Sequence, residues 1–279
     1  MQSIFAGMTA AEALAHHRRA LLALRVQHIA MVLVLGAMAL FAVERGVPAL
    51  YLFGLAGIVA TFLLFFYRLT QTVSQFQDIL WQDADVSKYR AALEVYYGQT
   101  KNRSTRNMLE LELAFCDYFD GLDDAALERL TRLTFKGRKS TQRLRSLNLQ
   151  VLLYNAQDDS VRRDEALDRI RAMAAQYRAG SKLAVTATNL VRDLELRCQS
   201  VEQWSEEDAR YIREQMGLAD KRLNRIGLRL RLDAYALAHG RPTEAARDLA
   251  ALGEESIVPR YETMRVQLLR KAEHQASND

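Results

Sequence analysis

Proline, glycine and cysteine are scarce in this sequence of 279 residues, which holds three, thirteen and two of them respectively. So few helix-breaking residues leave long stretches of good helix formers such as Ala, Leu, Arg and Glu, and the sequence therefore predicts an all-α protein. The two cysteines, Cys116 and Cys198, have no CxxC spacing, which excludes a disulfide framework and a paired-cysteine zinc site. We expect both to be buried, reduced thiols.

The short motifs of familiar catalysts are also missing, among them GxxxxGK, HExxH, GxSxG and GxGxxG. Residues 117–128 come nearest to a calcium loop, but Leu122 stands where that loop requires glycine. Asp83 and Asp85 lie outside any nucleotide-binding pattern, so we interpret them as a turn and a helix cap. We expect no enzyme, no cofactor and no metal site; an enzyme of unrecognised type is the least favoured of three functional hypotheses.

Two apolar runs near the N-terminus dominate the hydropathy pattern. Residues 29–43 and 47–67 carry no charge and are separated by Glu44, Arg45 and Gly46. About 20 apolar residues match a hydrocarbon core of roughly 30 Å, so residues 29–67 predict a transmembrane hairpin. The alternative for the first run is a cleaved signal peptide, which is disfavoured because that run leads directly into a second span.

The basic residues predict the direction of this hairpin. The net charge is +4 and the pI about 9.1, but most of the excess lies in the first 68 residues. Positive residues stay on the cytoplasmic side of a membrane, and here they flank the outer ends of the hairpin. Both termini are therefore expected in the cytoplasm, with these arginines near lipid headgroups: Arg18, Arg19, Arg25 and Arg68. The nearly neutral remainder gives no support to a nucleic-acid partner.

Residues 1–28 predict an amphipathic helix that lies at the membrane interface before it turns inward, and that begins with a capping box formed by Thr9 and Glu12. We expect His16, His17 and His28 to contact headgroups rather than a metal ion, because no carboxylate or cysteine lies at ligand spacing. Arginine greatly outnumbers lysine, which favours a GC-rich bacterial genome and hence a bacterial inner (plasma) membrane.

Small residues recur at four-residue spacing within the second apolar run. Such pairs let helices approach closely, so this face could pack on the first span or on a second copy of the chain. Its members are Ala56, Gly57, Ala60 and Thr61.

Beyond the hairpin, residues 68–84 predict a linker helix, residues 85–273 a series of helical hairpins and residues 274–279 a polar tail. A helical face that begins with alanine recurs roughly every 40 residues. The residues expected to pack between repeats are Ala92, Gly121, Ala126, Leu130, Ala166, Ile170, Ala209, Gly240, Ala245 and Leu249. Partner helices are predicted at about residues 107–119, 141–156, 182–198 and 221–238, and a final capping helix at 261–271.

The turns before these faces resemble the tetratricopeptide repeat (TPR) family. The family's signature Gly-Asp-Tyr-x-Glu-Ala is similar to residues 121–126 and 240–245, and in part to residues 164–166. For the repeat that contains residues 164–166, we expect the turn at residues 162–165. Ala114 stands where the family has a small residue in its first helix. The resemblance covers about residues 85–255 and implies an α-solenoid of antiparallel helix pairs that binds protein partners on its concave face.

Two basic clusters interrupt this nearly neutral region. The first comprises Lys136, Arg138, Lys139, Arg143 and Arg145. The second lines one helix and comprises Lys221, Arg222, Arg225, Arg229 and Arg231, of which Arg222, Arg225 and Arg229 share a face. Either could meet anionic lipid or an acidic partner, and the alternative is a solvated face balanced by neighbouring carboxylates. No aromatic residues interleave with them, which disfavours single-stranded nucleic acid.

Together these features predict a cytoplasmic adaptor or scaffold for protein–protein interaction, held to the membrane by an N-terminal hairpin. The alternative is an accessory or regulatory subunit of a membrane transporter or envelope-synthesis complex, with the hairpin as the main contact.

Overall fold

The computed structural model describes residues 2–135, 141–255 and 257–277. Every regular element in these ranges is helical: there are twelve α-helices and one short 3-10 turn, and no strands. The prediction of an all-α protein is confirmed. By contacts the chain divides into two compact units, Met1–Ile79 and Leu80–Asp279.

The first unit contains two long helices, α1 (Ala10–Glu44) and α2 (Pro48–Trp81), the second of which continues into the first residues of the other unit. The predicted capping box is confirmed, because the Glu12 N–H donates to the Thr9 hydroxyl at 3.3 Å and the Thr9 N–H donates to the Glu12 carboxylate at 2.8 Å. Gly46, with φ +65°, reverses the chain between the helices.

Helices α1 and α2 pack side by side in opposite directions. Successive contacts pair Ala39 with Gly54, Leu35 with Gly57, His28 with Phe65, and His17 with Phe76. A Cβ at Gly54 would lie only 2.9 Å from the Ala39 Cβ, so glycine is what allows the two backbones to come this close.

Both helices are long and apolar enough to cross a membrane, judged by length and composition. In the most apolar 18-residue window of each, only 11% and 6% of the residues are buried, whereas the core helix of a soluble protein would be mostly buried. Leucine and phenylalanine side chains such as Leu40 and Phe53 are 70% and 72% exposed. A soluble protein rarely exposes an apolar surface this extensive to water.

His17 does not have the environment expected for it. Its side chain is buried, and its ring stacks on Phe76 with 4.3 Å between centroids. Phe5 contacts the same Phe76 ring edge to face at 6.0 Å. The expectation that His17 reaches lipid headgroups is therefore wrong. Packing of the ring against Phe76, between the start of α1 and the end of α2, takes the place of its contact with solvent or headgroups.

The second unit begins with the last residues of α2 and a turn in which Ala84 has φ +57°. Asp85 accepts the Lys88 N–H at 2.9 Å, which confirms the predicted turn and cap. The helices that follow are α3 (Val86–Gln99), α4 (Arg103–Phe119), α5 (Asp123–Thr131), α6 (Thr141–Ala156), α7 (Ser160–Ala175), α8 (Lys182–Cys198), a 3-10 turn (Val201–Gln203), α9 (Glu206–Leu218), α10 (Arg222–Ala238), α11 (Pro242–Leu252) and α12 (Pro259–Ala276). The predicted partner helices and final helix all lie within or close to these bounds.

Neighbouring helices pack on one another from α3 to α8 and again from α9 to α12. One contact joins distant parts of the unit: α12 packs against α4 as well as against α10 and α11. Gln82 adds a second link, because its side chain donates to the Asp220 carbonyl oxygen at 2.9 Å and accepts the Arg222 N–H at 3.1 Å. Repeats in an open stack contact only their neighbours, so these links bring the beginning and the end of this unit together.

Three of the inter-helix turns have the same geometry. Gly121, Asp158 and Gly240 have φ of +80°, +56° and +71°, and the N–H of each following residue returns to a carbonyl in the last turn of the preceding helix. The turn predicted at residues 162–165 is wrong, because those residues lie inside α7. The turn is at Asp158, where a left-handed aspartate replaces the glycine that marks the other two.

Candidate functional site

The second unit contains a cavity of about 440 Å³, called here the central cavity, lined by residues of α4, α6, α8, α9, α10 and α12 and by Trp81. This volume lies in the range of roughly 300–1,000 Å³ that is typical of ligand pockets. Its apolar lining includes Phe115, Phe119, Leu190, Leu218 and Leu228, and its polar lining includes Asn148, Thr186, Asn189, Gln215 and Asn224.

The polar lining is arranged in a regular way. Asn148, Asn189 and Asn224 come from α6, α8 and α10, the first helices of successive predicted pairs. A carboxamide both donates and accepts hydrogen bonds, as a peptide group does. Leu218 is 78% exposed at the end of α9, beside these side chains. The cavity therefore offers apolar contacts and amide hydrogen bonds to one occupant.

An ion cluster forms part of the wall of the central cavity; its Asp193 and Arg197 are half-buried and line the cavity, and its Arg231 is buried. Asp193 accepts hydrogen bonds from Arg197 at 2.9 Å and from Arg231 at 2.5 Å. Burial alone would raise the pKa of Asp193, but the two guanidinium groups outweigh it and hold the pKa at about 2. Burial lowers the pKa of Arg231, whose guanidinium also lies over the Trp204 ring at 5.2 Å. The cluster holds α8 against α10, and because Asp193 and Arg197 line the central cavity, it also presents charged groups to an occupant.

The first turn of α12 forms another side of the central cavity. Tyr261 packs so closely on α10 that a Cβ at Gly227 would lie 2.6 Å from its hydroxyl oxygen. Burial raises the pKa of Tyr261 to about 12, and the neighbouring Tyr118 adds to the effect. Arg260 donates to the Tyr118 carbonyl oxygen at 2.5 Å and pairs with Asp123. A second cavity of about 360 Å³ shares Tyr118, Arg197 and Tyr261 with the first.

Helix α4 carries a separate set of buried carboxylates. Asp117 is held by Arg90 and, at 2.6 Å, by Arg129, which also contacts Glu110 at 2.8 Å. Glu112 pairs with Arg145 at 2.6 Å and accepts the Tyr89 hydroxyl at 3.2 Å. Arginines thus hold two acidic positions of the calcium-like segment, Asp117 and Asp123. In the described ranges no group of three or more His, Cys, Asp or Glu side chains is arranged to hold a metal ion.

No protein-family model, curated protein or solved structure matches the chain. The geometry of the central cavity and of the apolar helices is therefore the basis for a functional proposal.

The residues predicted to pack between repeats are all inside the second unit. Gly121 and Gly240 occupy two of the left-handed turns. The others have side chains that are at most 4% exposed: Ala92, Ala126, Leu130, Ala166, Ile170, Ala209, Ala245 and Leu249.

Carboxylates pair with some members of each basic cluster, and Arg231 of the second cluster is buried and paired with Asp193 rather than open to a lipid or partner. Arg222 and Arg229 reach the same Glu255, at 3.2 and 3.8 Å, while Arg225 is exposed. Arg145 is bound by Glu112, as described above, and Arg143 is half-buried. Lys136, Arg138 and Lys139 lie outside the described residues.

The small residues of α2 fall on two sides. Gly57 packs against Leu35 of α1, where a Cβ would approach within 3.0 Å, and Thr61 is half-buried. Ala56 and Ala60 are exposed. A second copy of the chain would therefore meet the two alanines, because Leu35 already covers Gly57. Of the anchor arginines, Arg19, Arg25 and Arg68 are exposed and Arg18 is half-buried.

Both cysteines are free; Cys116 is buried and Cys198 is half-buried, and burial raises the pKa of each thiol. The prediction of a buried, reduced thiol is confirmed for Cys116. Sequence reasoning missed the Asp193 cluster and the buried Asp233. The one indication of these sites in the sequence is a charged residue on an otherwise apolar face of α8 or α10. That indication is not enough, because the residues that such a side chain contacts are distant in sequence.

Proposed function

We propose that this chain is a membrane-anchored adaptor whose TPR-like helix pairs bind a segment of a protein partner in the central cavity. The observation that carries the proposal is the lining of that cavity, where carboxamides from three successive first helices stand among aromatic and aliphatic side chains. An extended peptide presents backbone amides along its length and apolar side chains between them, and this lining complements both.

The two apolar helices support the anchoring part of the proposal. With so little of their surface buried, they gain stability by entering a bilayer, where all backbone hydrogen bonds are made within each helix. The excess of arginine over lysine favours a bacterial inner membrane, and the arginines at the outer ends of the hairpin favour both termini in the cytoplasm. Confinement to the membrane raises the effective concentration of the helical unit near other membrane proteins, so a modest affinity in the cavity is sufficient.

Site-directed photo-crosslinking of the full chain in native membranes tests the proposal. A photoreactive amino acid at Leu218 stands beside the central cavity, whereas one at Val161, which is 69% exposed on α7, serves as the matched control. We expect a discrete crosslinked partner from position 218 and none from position 161. Equal crosslinking from both positions, or from neither, would show that the cavity does not receive a partner.

The alternative, an accessory subunit that contacts a membrane complex through its hairpin, draws on the exposed Ala56 and Ala60 of α2. A photoreactive group at Ala60 distinguishes the two functions. Crosslinks to a membrane protein from position 60, with none from position 218, would favour the accessory subunit and contradict the adaptor.

A further inference from the structure

A groove of about 500 Å³ runs between α1 and α2 within the first unit; we call it the hairpin groove. Its wall includes Met31 and Val34 from α1 and Leu64 from α2, and its lining is overwhelmingly apolar. Along α1 the groove extends from Leu24 to Val34, about 15 Å at the rise of an α-helix. This is the shape and polarity of a site for part of an acyl chain.

Polar groups are concentrated toward one end of the hairpin groove. Arg68 and Gln27 lie at the end that is furthest from the loop at Gly46. His28 lines the same region, and its ring is held between Phe62 and Phe65 at centroid distances of 4.7 and 4.5 Å. Its Nδ1 atom is buried without a hydrogen-bond partner among the described residues. The groove therefore combines an apolar floor with a basic and hydrogen-bonding mouth.

The charge at this mouth is not balanced by the hairpin itself. The sequence holds no aspartate or glutamate at residues 13–43 or 45–77, so neither Arg68 nor the exposed Arg25 has a carboxylate nearby on its own helix. Glu44 lies at the opposite end of the hairpin. An anion that approaches Arg68 along the groove must therefore come from outside the hairpin.

We propose that the hairpin groove binds one anionic phospholipid of the cytoplasmic leaflet. One acyl chain lies along Met31, Val34 and Leu64, the phosphate pairs with Arg68, and the ester region approaches His28. The inference rests on the proposed function in one respect, namely that the hairpin is inserted in a membrane. Basic mouths between membrane helices on the cytoplasmic side are suited to such headgroups.

Native mass spectrometry of the full chain in detergent micelles tests this site. Dioleoylphosphatidylglycerol supplies the anionic headgroup, and dioleoylphosphatidylcholine supplies the same chains with a neutral one. We expect one phosphatidylglycerol to be retained per chain, and Arg68→Gln to weaken its binding about fivefold, the loss that corresponds to about 1 kcal/mol for one basic residue near an anionic headgroup. Arg45→Gln, at the loop end, is the matched control and should leave binding unchanged.

A second pair of variants tests the groove rather than the charge. Thr61→Trp places an indole in the groove and should abolish retention of the lipid, whereas Ala60→Trp, on the exposed side of α2, should not. Equal retention of the two lipids, or equal effects of Arg68→Gln and Arg45→Gln, would overturn the proposal. The proposal would also be overturned if the chain formed a dimer without bound lipid and Thr61→Trp dissociated that dimer, because the groove would then hold a second copy of the chain.

The failure of this inference can be told apart from the failure of the proposed function. Carbonate extraction of cell membranes measures insertion independently of any bound lipid. If the chain is released by carbonate, the anchor itself is wrong. If it resists extraction but shows no preference for phosphatidylglycerol, only the lipid site is wrong.

Discussion

Replacing Asp233 with asparagine should stabilise the protein at neutral and alkaline pH. The Asp233 side chain is buried on α10, and its Oδ2 atom has no hydrogen-bond partner within the described part of the chain. Burial, together with the charges of Asp248 and Glu244 and against the opposing Arg229, raises the pKa of this carboxyl from 3.8 to about 7. Ionised Asp233 is thus a buried charge without adequate compensation.

The sign of the pH dependence follows from this raised pKa. Between about pH 4 and pH 7 the unfolded chain has released the proton that the folded protein keeps, so the free energy of unfolding falls as the pH rises. At 1.36 kcal/mol per pKa unit, the shift to about 7 removes at most about 4 kcal/mol by pH 8. Asparagine cannot ionise and has nearly the same shape, so the variant avoids this loss and should approach the wild type only near pH 4, where the loss has barely begun.

The thermal midpoint of the full chain in detergent micelles, followed by far-ultraviolet circular dichroism from pH 5 to 8.5, measures this difference. A gain of 1 kcal/mol raises Tm by about 2–4 °C for a unit of about 200 residues, so Asp233→Asn should gain up to roughly 10 °C at pH 8 and about a third of that at pH 5. Asp220→Asn, which alters an exposed carboxylate, is the control. Parallel pH profiles for Asp233→Asn and the wild type would refute the reasoning.

Three further predictions concern turns and buried contacts, each measured as a change in thermal midpoint. Asp158→Gly relieves a left-handed aspartate and should stabilise by about 1 kcal/mol, whereas Gly240→Ala in the equivalent turn should destabilise by a similar amount. A destabilising Asp158→Gly or a stabilising Gly240→Ala would contradict the shared geometry. Gly227→Ala should cost about 1–3 kcal/mol through its clash with the Tyr261 hydroxyl, and adding Tyr261→Phe should restore part of the loss; no rescue would argue against that contact. Asp193→Asn leaves the buried Arg231 and the half-buried Arg197 without their carboxylate and should cost up to about 3–5 kcal/mol, a loss that an exposed pair would not show.

Local signals in the sequence predicted much of the helical framework. The Thr9 and Glu12 capping box and the Asp85 cap each depend on residues three positions apart, and both are present. The start of α2 at Pro48 also follows from a local rule, since proline at a first turn loses no hydrogen bond.

The parts that depend on distant contacts could not be predicted. Nothing near Arg260 in the sequence indicates that its partners are Tyr118 and Asp123, so the return of α12 to α4 was not foreseen. The burial of His17 depends in the same way on Phe76, which lies on another helix. The turn at Asp158 was missed for a different reason: the turn rule expects glycine, and aspartate adopts the left-handed conformation less readily.

The candidate site could be predicted from the sequence only in part. The sequence predicted α6, α8 and α10, the helices that carry Asn148, Asn189 and Asn224, close to their observed bounds. It could not show that these side chains line one cavity, because their convergence depends on how α6, α8 and α10 pack. The ion cluster of Asp193 beside that cavity likewise required the packing of α8 on α10.

A pair of topology fusions tests most directly the central claim that the hairpin holds the helical unit at the cytoplasmic face of a membrane. Alkaline phosphatase, which is active only outside the cytoplasm, is fused either after Gly46 in the loop or after Asp279 at the end of the chain. The account predicts an active enzyme at Gly46 and an inactive one at Asp279. Activity at Asp279, or inactivity at both positions, would contradict it.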